Sequence, residues 1–170
     1  MEVLEAIRTR RSIRRFLPQP VPPEMVEQLL RAGMQAPSAH NAQPWQFIVI
    51  TDRSQLDAIP KFHPYAEMLK EAPMAILVCG DERLTKAAGS WVLDCSAATQ
   101  NILLAAHGLG LGAVWVSVYG APPREEGMRQ LTSLPPEVHP HSLIPIGYAF
   151  EPVLPTDRFK PARIHTNHWE

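Results

Sequence analysis

Arg10-Arg11-Ser12-Ile13-Arg14-Arg15-Phe16 places four arginines and a hydroxyl within six positions. Guanidinium groups are planar, permanently charged forks suited to phosphate and to electron-rich ring edges. Ahead of the cluster, Val3, Leu4 and Ile7 share one helical face, so residues near 2–9 read as a short helix. Behind it, Pro18, Pro20, Pro22 and Pro23 force an extended connection. The arginines therefore sit on a bend at a helix C-terminus. Such a bend is a ready anion site. By itself the stretch also allows a solvated helix end facing the negative pole of the dipole, or a nucleic-acid patch.

Composition narrows these readings. The chain of 170 residues fits one domain with a real core, and its net charge of −1 gives no global attraction to nucleic acid. The arginine cluster is local. The charged fraction of 19% lies below the roughly 25% usual for soluble domains, a hint that surface is hidden at a subunit interface. Cys79 and Cys95 lie in apolar surroundings without metal-type spacing and read as reduced core thiols of a cytoplasmic protein. Glu2 and Glu5 without an apolar run argue against a signal peptide, and no uninterrupted apolar run is long enough for a bilayer span. The expectation is no membrane, no nucleic acid and no resident metal.

Residues 23–34 read as a helix with Pro23 in its first turn and Met25, Val26, Leu29, Leu30 and Met34 as its buried stripe. Residues 36–45, with two prolines and several small polar side chains, read as a stiff loop feeding a strand at 46–51. That loop either presents donors to a ligand or satisfies its own backbone. Short helices are expected at 54–59, capped by Ser54, and at 65–72, with a buried strand at 74–79. Residues 90–106 form the longest expected helix, apolar nearly all round, with Asp94, Gln100 and Asn101 as inner polar residues.

Gly108-Leu109-Gly110-Leu111-Gly112 resembles a dinucleotide fingerprint, but a helix precedes it and a strand, 113–118, follows. That order is the reverse of the one the fingerprint needs, so Gly108 reads as a helix cap. A helix at 124–131, a turn at His139-Pro140-His141 and a strand at 142–148 complete the elements. Residues 152–170 are proline-rich, then basic, and have little core of their own; such a tail is loose or wrapped over something.

Five motifs stand in order: R-R-S-x-R after the first helix; P-S-x-x-N-x-Q-P-W at Pro37, Ser38, Asn41, Gln43, Pro44 and Trp45; a long helix carrying Asp94, Ala98, Gln100, Asn101, Leu104 and the Gly108-Leu109-Gly110 turn; L-I-P-I-G-Y ending at Tyr148; and Arg163-Ile164-His165 with Trp169. Together these resemble the nitroreductase family of FMN-dependent oxidoreductases, in its short form. The resemblance implies a single α+β, three-layer domain over 1–170, with a central, mainly antiparallel sheet flanked by helices. It also implies a homodimer with FMN at the interface, residues 152–170 wrapping the partner chain, and NADH or NADPH as hydride donor. On that basis Arg10 and Ser12 hold the phosphate and ribityl chain with Arg11 close by, Arg14 approaches the N1/O2 edge of the ring, and Arg158 closes on the phosphate. Pro37, Ser38 and Asn41 come from the other chain to line the flavin. The chemistry is carried by flavin N5, the acceptor being a nitroaromatic or quinone, and no side chain is needed as catalytic acid or base. The resemblance also implies that the same fold hosts dehalogenation, flavin destruction and ring dehydrogenation, and a non-catalytic flavin-binding regulatory or storage protein is a further alternative. Two departures stand out: Ala39 replaces a frequent second serine, and the segment between the second strand and the long helix is short, which leaves the pocket above the flavin open.

Overall fold

A computed structural model describes residues 1–169. Five strands form one antiparallel sheet: β1 (Trp45–Ile50), β2 (Met74–Asp81), β3 (Gly112–Ala113), β4 (Val116–Ser117) and β5 (Val138–Gly147). The order is β1-β2-β5-β3, with β4 also on β5. The β2 strand is buried along its whole length, and the period of two sorts it. Ala75, Leu77 and Cys79 enter one core, while Met74, Ile76 and Val78 enter the other. The first core is closed by α3 (Arg53–Ala58) and α5 (Pro122–Thr132), through Leu56 and Met128. The second is closed by α2 (Pro23–Met34) and α4 (Trp91–Gly108), through Leu29, Cys95, Ala98 and Ile102. The result is the expected three-layer α+β arrangement.

Trp91, Cys95, Ala98, Ile102 and Ala106 recur at helical spacing and give α4 its buried face. Asp94 and Asn101 are inner polar residues, as expected: Asp94 Oδ1 accepts from the Ala39 amide at 2.9 Å and Asn101 Nδ2 donates to the Ala32 carbonyl at 3.0 Å. Gln100 is not; it faces solvent because it lies opposite the sheet. Gly33 lets α2 approach α4 closely, since a Cβ there would lie 3.0 Å from Ile102.

Several other expectations are corrected. Met34 is 50% exposed, because it points away from the side of the last turn of α2 on which the buried Gly33 meets the core. Asp52, not Ser54, caps α3: its carboxylate accepts from the Gln55 amide. Residues 65–72 form only a 3₁₀ turn, Glu67–Lys70. Gly108 ends α4 within the helix, and Gly110, at φ +79°, makes the left-handed turn. His139-Pro140-His141 is not a turn but part of β5, where pairing with β2 outweighs the local proline signal. The strand expected at 113–118 is broken between β3 and β4.

At the β2 end, Gly80 lies under the Trp91 ring, where an added Cβ would meet Cε3 at 2.3 Å. Trp91 is also stacked on His139 and edge-on to Tyr119, so the ring has nowhere to go. Gly80→Ala is therefore expected to lower stability by about 1–3 kcal/mol in urea unfolding. An unchanged midpoint would show that this ring is free to move.

Candidate functional site

The helix α1 (Val3–Thr9) ends with the Arg10 amide on the Ala6 carbonyl. Beyond it the chain is extended: Ser12 bridges Ala113 in parallel, and the Phe16 backbone bridges Ala149. This pairing divides the arginines among separate tasks. The Arg15 guanidinium binds Glu71 at 3.0 Å, and that carboxylate also accepts from the Phe16 amide, which holds it below its usual pKa. Arg11 donates to the carbonyls of Arg8 and Arg10 and, across the fold, to those of Leu154 and Thr156 at 3.3 and 3.0 Å. It is thus the clamp that holds the tail against the end of α1.

That clamp builds a cleft of about 770 Å³ lined by Thr9, Arg10, Arg11, Thr156, Arg158 and Phe159, among others. Arg10 is half-buried here and, among the described residues, has neither a carboxylate partner nor a hydrogen-bond acceptor. Burial, then the charges of Arg158 and Arg11, push its pKa down. Glu5 and Asp157 also line the cleft, but among the described residues neither pairs with Arg10 or Arg158, and two guanidiniums held together without an ion pair are the arrangement that a bound dianion relieves. Thr9 Oγ1 meets His107 Nε2 at 2.7 Å, tying this corner to the end of α4. Burial and the nearby Arg10 and Arg11 charges keep that histidine below its ordinary pKa.

Arg14 faces a different cleft, of about 440 Å³, lined by His63, Tyr65, Met68, residues 114–117 and Arg124. The break between β3 and β4 opens it, since Val114 and Trp115 leave the regular ladder there. His63 is fully buried; its Nε2 lies 2.8 Å from the Ser117 carbonyl, and burial lowers its pKa. A histidine nitrogen facing a carbonyl carries the proton, so this ring fixes β4 as a donor. Sequence reasoning did not single out His63, Tyr65, Trp115 or Arg124. Their one signal was a tryptophan inside an otherwise aliphatic edge strand.

Pro37, Ser38 and Asn41 stand apart from both clefts. Ser38 Oγ accepts from the Gln43 amide, and Asn41 Oδ1 accepts from Gln43 Nε2 at 2.8 Å. His40, Asn41 and Gln43 all have φ near +50°, an uncommon concentration of left-handed non-glycine residues. The loop is pinned at Asp94, near the start of α4, whereas Thr9 and Arg10 sit at His107, near its end. The two anchors are thirteen helical positions apart, about 20 Å at 1.5 Å per residue. One chain therefore does not bring the loop to the arginines.

A three-layer antiparallel fold with a cationic cleft beside its first helix defines the class. The nitroreductase family profile matches residues 7–63 and 60–148. A protein of Methanothermobacter thermautotrophicus, provisionally named an NADH dehydrogenase/NAD(P)H nitroreductase, is 53% identical over 169 residues, covering 99% of this chain and 88% of that one. A crystal structure from Parabacteroides distasonis with the same provisional name superposes with a TM-score of 0.95 at 45% identity, covering 98% of both chains. A provisional nitroreductase of Desulfovibrio desulfuricans, solved in complex with FMN, gives 0.86 at 31% identity over 100% of this chain and 99% of that one. The chain belongs to the nitroreductase family. Among the described residues, no helix is long and apolar enough to cross a membrane.

Behind Trp115 lies His141, buried among Trp91, Trp115 and Tyr119, with Nε2 3.1 Å from Ser96 Oγ. Burial lowers its pKa to about 4. The unfolded chain takes up that proton first, so stability is full above about pH 6.5 and falls as pH drops toward 4. The loss across this window is about 3 kcal/mol. Urea unfolding at pH 7.5 and 4.5 is expected to show a smaller pH-dependent loss in His141→Gln than in the parent; equal losses would contradict the assignment.

Proposed function

We propose that the chain is an FMN-dependent oxidoreductase that uses NADH or NADPH to reduce an electron-poor acceptor such as a nitroaromatic or a quinone. The observation that carries this reading is the Arg10–Arg158 pair in the cleft beside α1, neither member of which has an ion-pair partner among the described residues. Its chemistry fits a phosphate dianion. The second cleft, apolar and aromatic with Arg14 on its wall, fits a planar ring with a polar edge. Arg14 lies four positions along extended chain from Arg10, about 13 Å, which suits a phosphate and a ring joined by a ribityl chain. FMN held by these residues would supply two-electron redox chemistry between the nicotinamide and the acceptor.

The protein's part is binding, orientation and charge placement. Arg10 and Arg158 anchor the phosphate, Arg11 keeps the tail over it, and Ser12, which lines neither cleft and is fixed by its bridge to Ala113, lies in the chain between Arg10 and Arg14. Arg14, on the wall of the second cleft, would set a fixed positive charge beside the polar edge of a ring bound there and so favour its more negative, reduced state over the oxidised one. We place Pro37, Ser38 and Asn41 at the site of a second copy of the chain, because 20 Å of α4, by the rise per residue, separates them from their own arginines. Leu93 on α4, Val3, Leu4 and Ile7 on α1, and Leu154, Phe159, Ile164 and Trp169 in the tail are all exposed. A homodimer in which the tail beyond its Arg11-held stretch is laid over the partner covers such surface.

The test is binding of FMN against riboflavin, which lacks the phosphate. The native protein is expected to purify yellow and to prefer FMN. Arg10→Ala is expected to weaken FMN roughly ten- to a hundredfold, from the 1.5–3 kcal/mol of a charge-assisted contact, and riboflavin far less. A colourless protein that takes up no added FMN would overturn the reading.

A further inference from the structure

The cleft beside Arg14 holds a second arginine that nothing described so far uses. Arg124 stands in the first turn of α5, which begins at Pro122. A helix N-terminus favours anions, so a cation there works against the dipole. Its guanidinium lies over the Tyr65 ring, 5.0 Å from the centroid, and Nη1 donates to the Ser117 carbonyl at 3.3 Å. Both contacts orient the fork, and neither neutralises it. Nearby carboxylates are engaged elsewhere: Glu67, on the same cleft, pairs with Lys70, and Glu125 accepts from the Gly120 amide. Among the described residues Arg124 has no ion-pair partner. The neutral His63 next to it feels the Arg124 charge as well. The remaining guanidinium N–H groups of a fork held from one side suit a two-point contact with a carboxylate or phosphate.

We propose that Arg124 recognises an anionic oxygen group, a carboxylate or a phosphate, on the small molecule that enters this cleft, with Tyr65 and Trp115 as flanking aromatic walls. The proposal rests on the oxidoreductase reading and names the substrate class of that same site. Arg14 serves the cofactor's edge, and Arg124 selects what is placed beside it. The anion belongs either to the acceptor or to the nicotinamide donor.

The experiment uses the purified holoprotein and matched probes. Quenching of tryptophan fluorescence reports binding of 4-nitrobenzoate against the uncharged 4-nitrobenzamide. Steady-state kcat/KM compares NADH with the uncharged 1-benzyl-1,4-dihydronicotinamide. The native protein is expected to prefer the charged member of at least one pair by roughly tenfold or more, the range of a charge-assisted contact. In Arg124→Gln that preference collapses to within about twofold, and Arg124→Lys restores part of it. Collapse in the acceptor pair places the anion on the acceptor, and collapse in the donor pair places it on the nicotinamide. Native protein without preference in either pair, or Arg124→Gln that retains it, overturns the proposal. So does loss of flavin in Arg124→Gln with preferences intact, which would make Arg124 a cofactor ligand. Failure of the underlying reading looks different: no flavin is taken up and no NAD(P)H is oxidised, while the fluorescence titration still reports whether the cleft selects an anion.

Discussion

The site depends on like charges held together. Arg10 and Arg158 come from opposite ends of the chain and repel one another, so their proximity has to be imposed. Arg11 imposes it, by spending its guanidinium on four backbone carbonyls, two at the end of α1 and two in the tail. The parallel bridge of Ser12 to Ala113 then fixes the direction of each following side chain. Repulsion maintained by neutral hydrogen bonds is of the kind that a bound anion would relieve. The same economy recurs in the second cleft, where Tyr65 and the Ser117 carbonyl hold Arg124 without neutralising it.

The sheet and its two cores follow from patterns the sequence displays openly. β2 is a continuous apolar run, and only a strand covered on both faces tolerates that. The near-uniform apolarity of α4 announced a central helix, and Asp94 and Asn101 were legible as its inner polar residues. Local turn chemistry was less reliable. Pro140 read as part of a turn, yet the long β2–β5 pairing carries it inside a strand. Ser54 read as a cap because hydroxyls often are, but the helix begins one residue earlier and uses Asp52. These are cases where tertiary pairing or a neighbouring residue outweighs a local preference.

The candidate site was legible in parts of different kinds. The arginine cluster was visible because charge density survives in a linear string, but the separate task of each arginine was not. Arg15 belongs to Glu71 and Arg11 to the tail, and those partners lie 56 and roughly 145 positions away. The cleft around Tyr65, Trp115 and Arg124 was invisible because three distant segments meet there. The loop at 37–43 showed its stiffness in its prolines, while its left-handed residues His40, Asn41 and Gln43 carry no glycine to mark them.

The central claim is that each flavin site combines the arginines of one chain with the Pro37–Ser38–Asn41 loop of another. Co-expression of an Arg10→Glu chain and a Ser38→Trp chain, each with its own affinity tag, allows the hybrid to be isolated by tandem purification. If sites are shared, one site of the hybrid carries both defects and the other neither, so flavin occupancy is about half that of the native dimer. Both parental homodimers remain empty. If each site were built within one chain, every site of the hybrid would carry one defect. A flavin-free hybrid, with both chains folded and paired, would contradict the account.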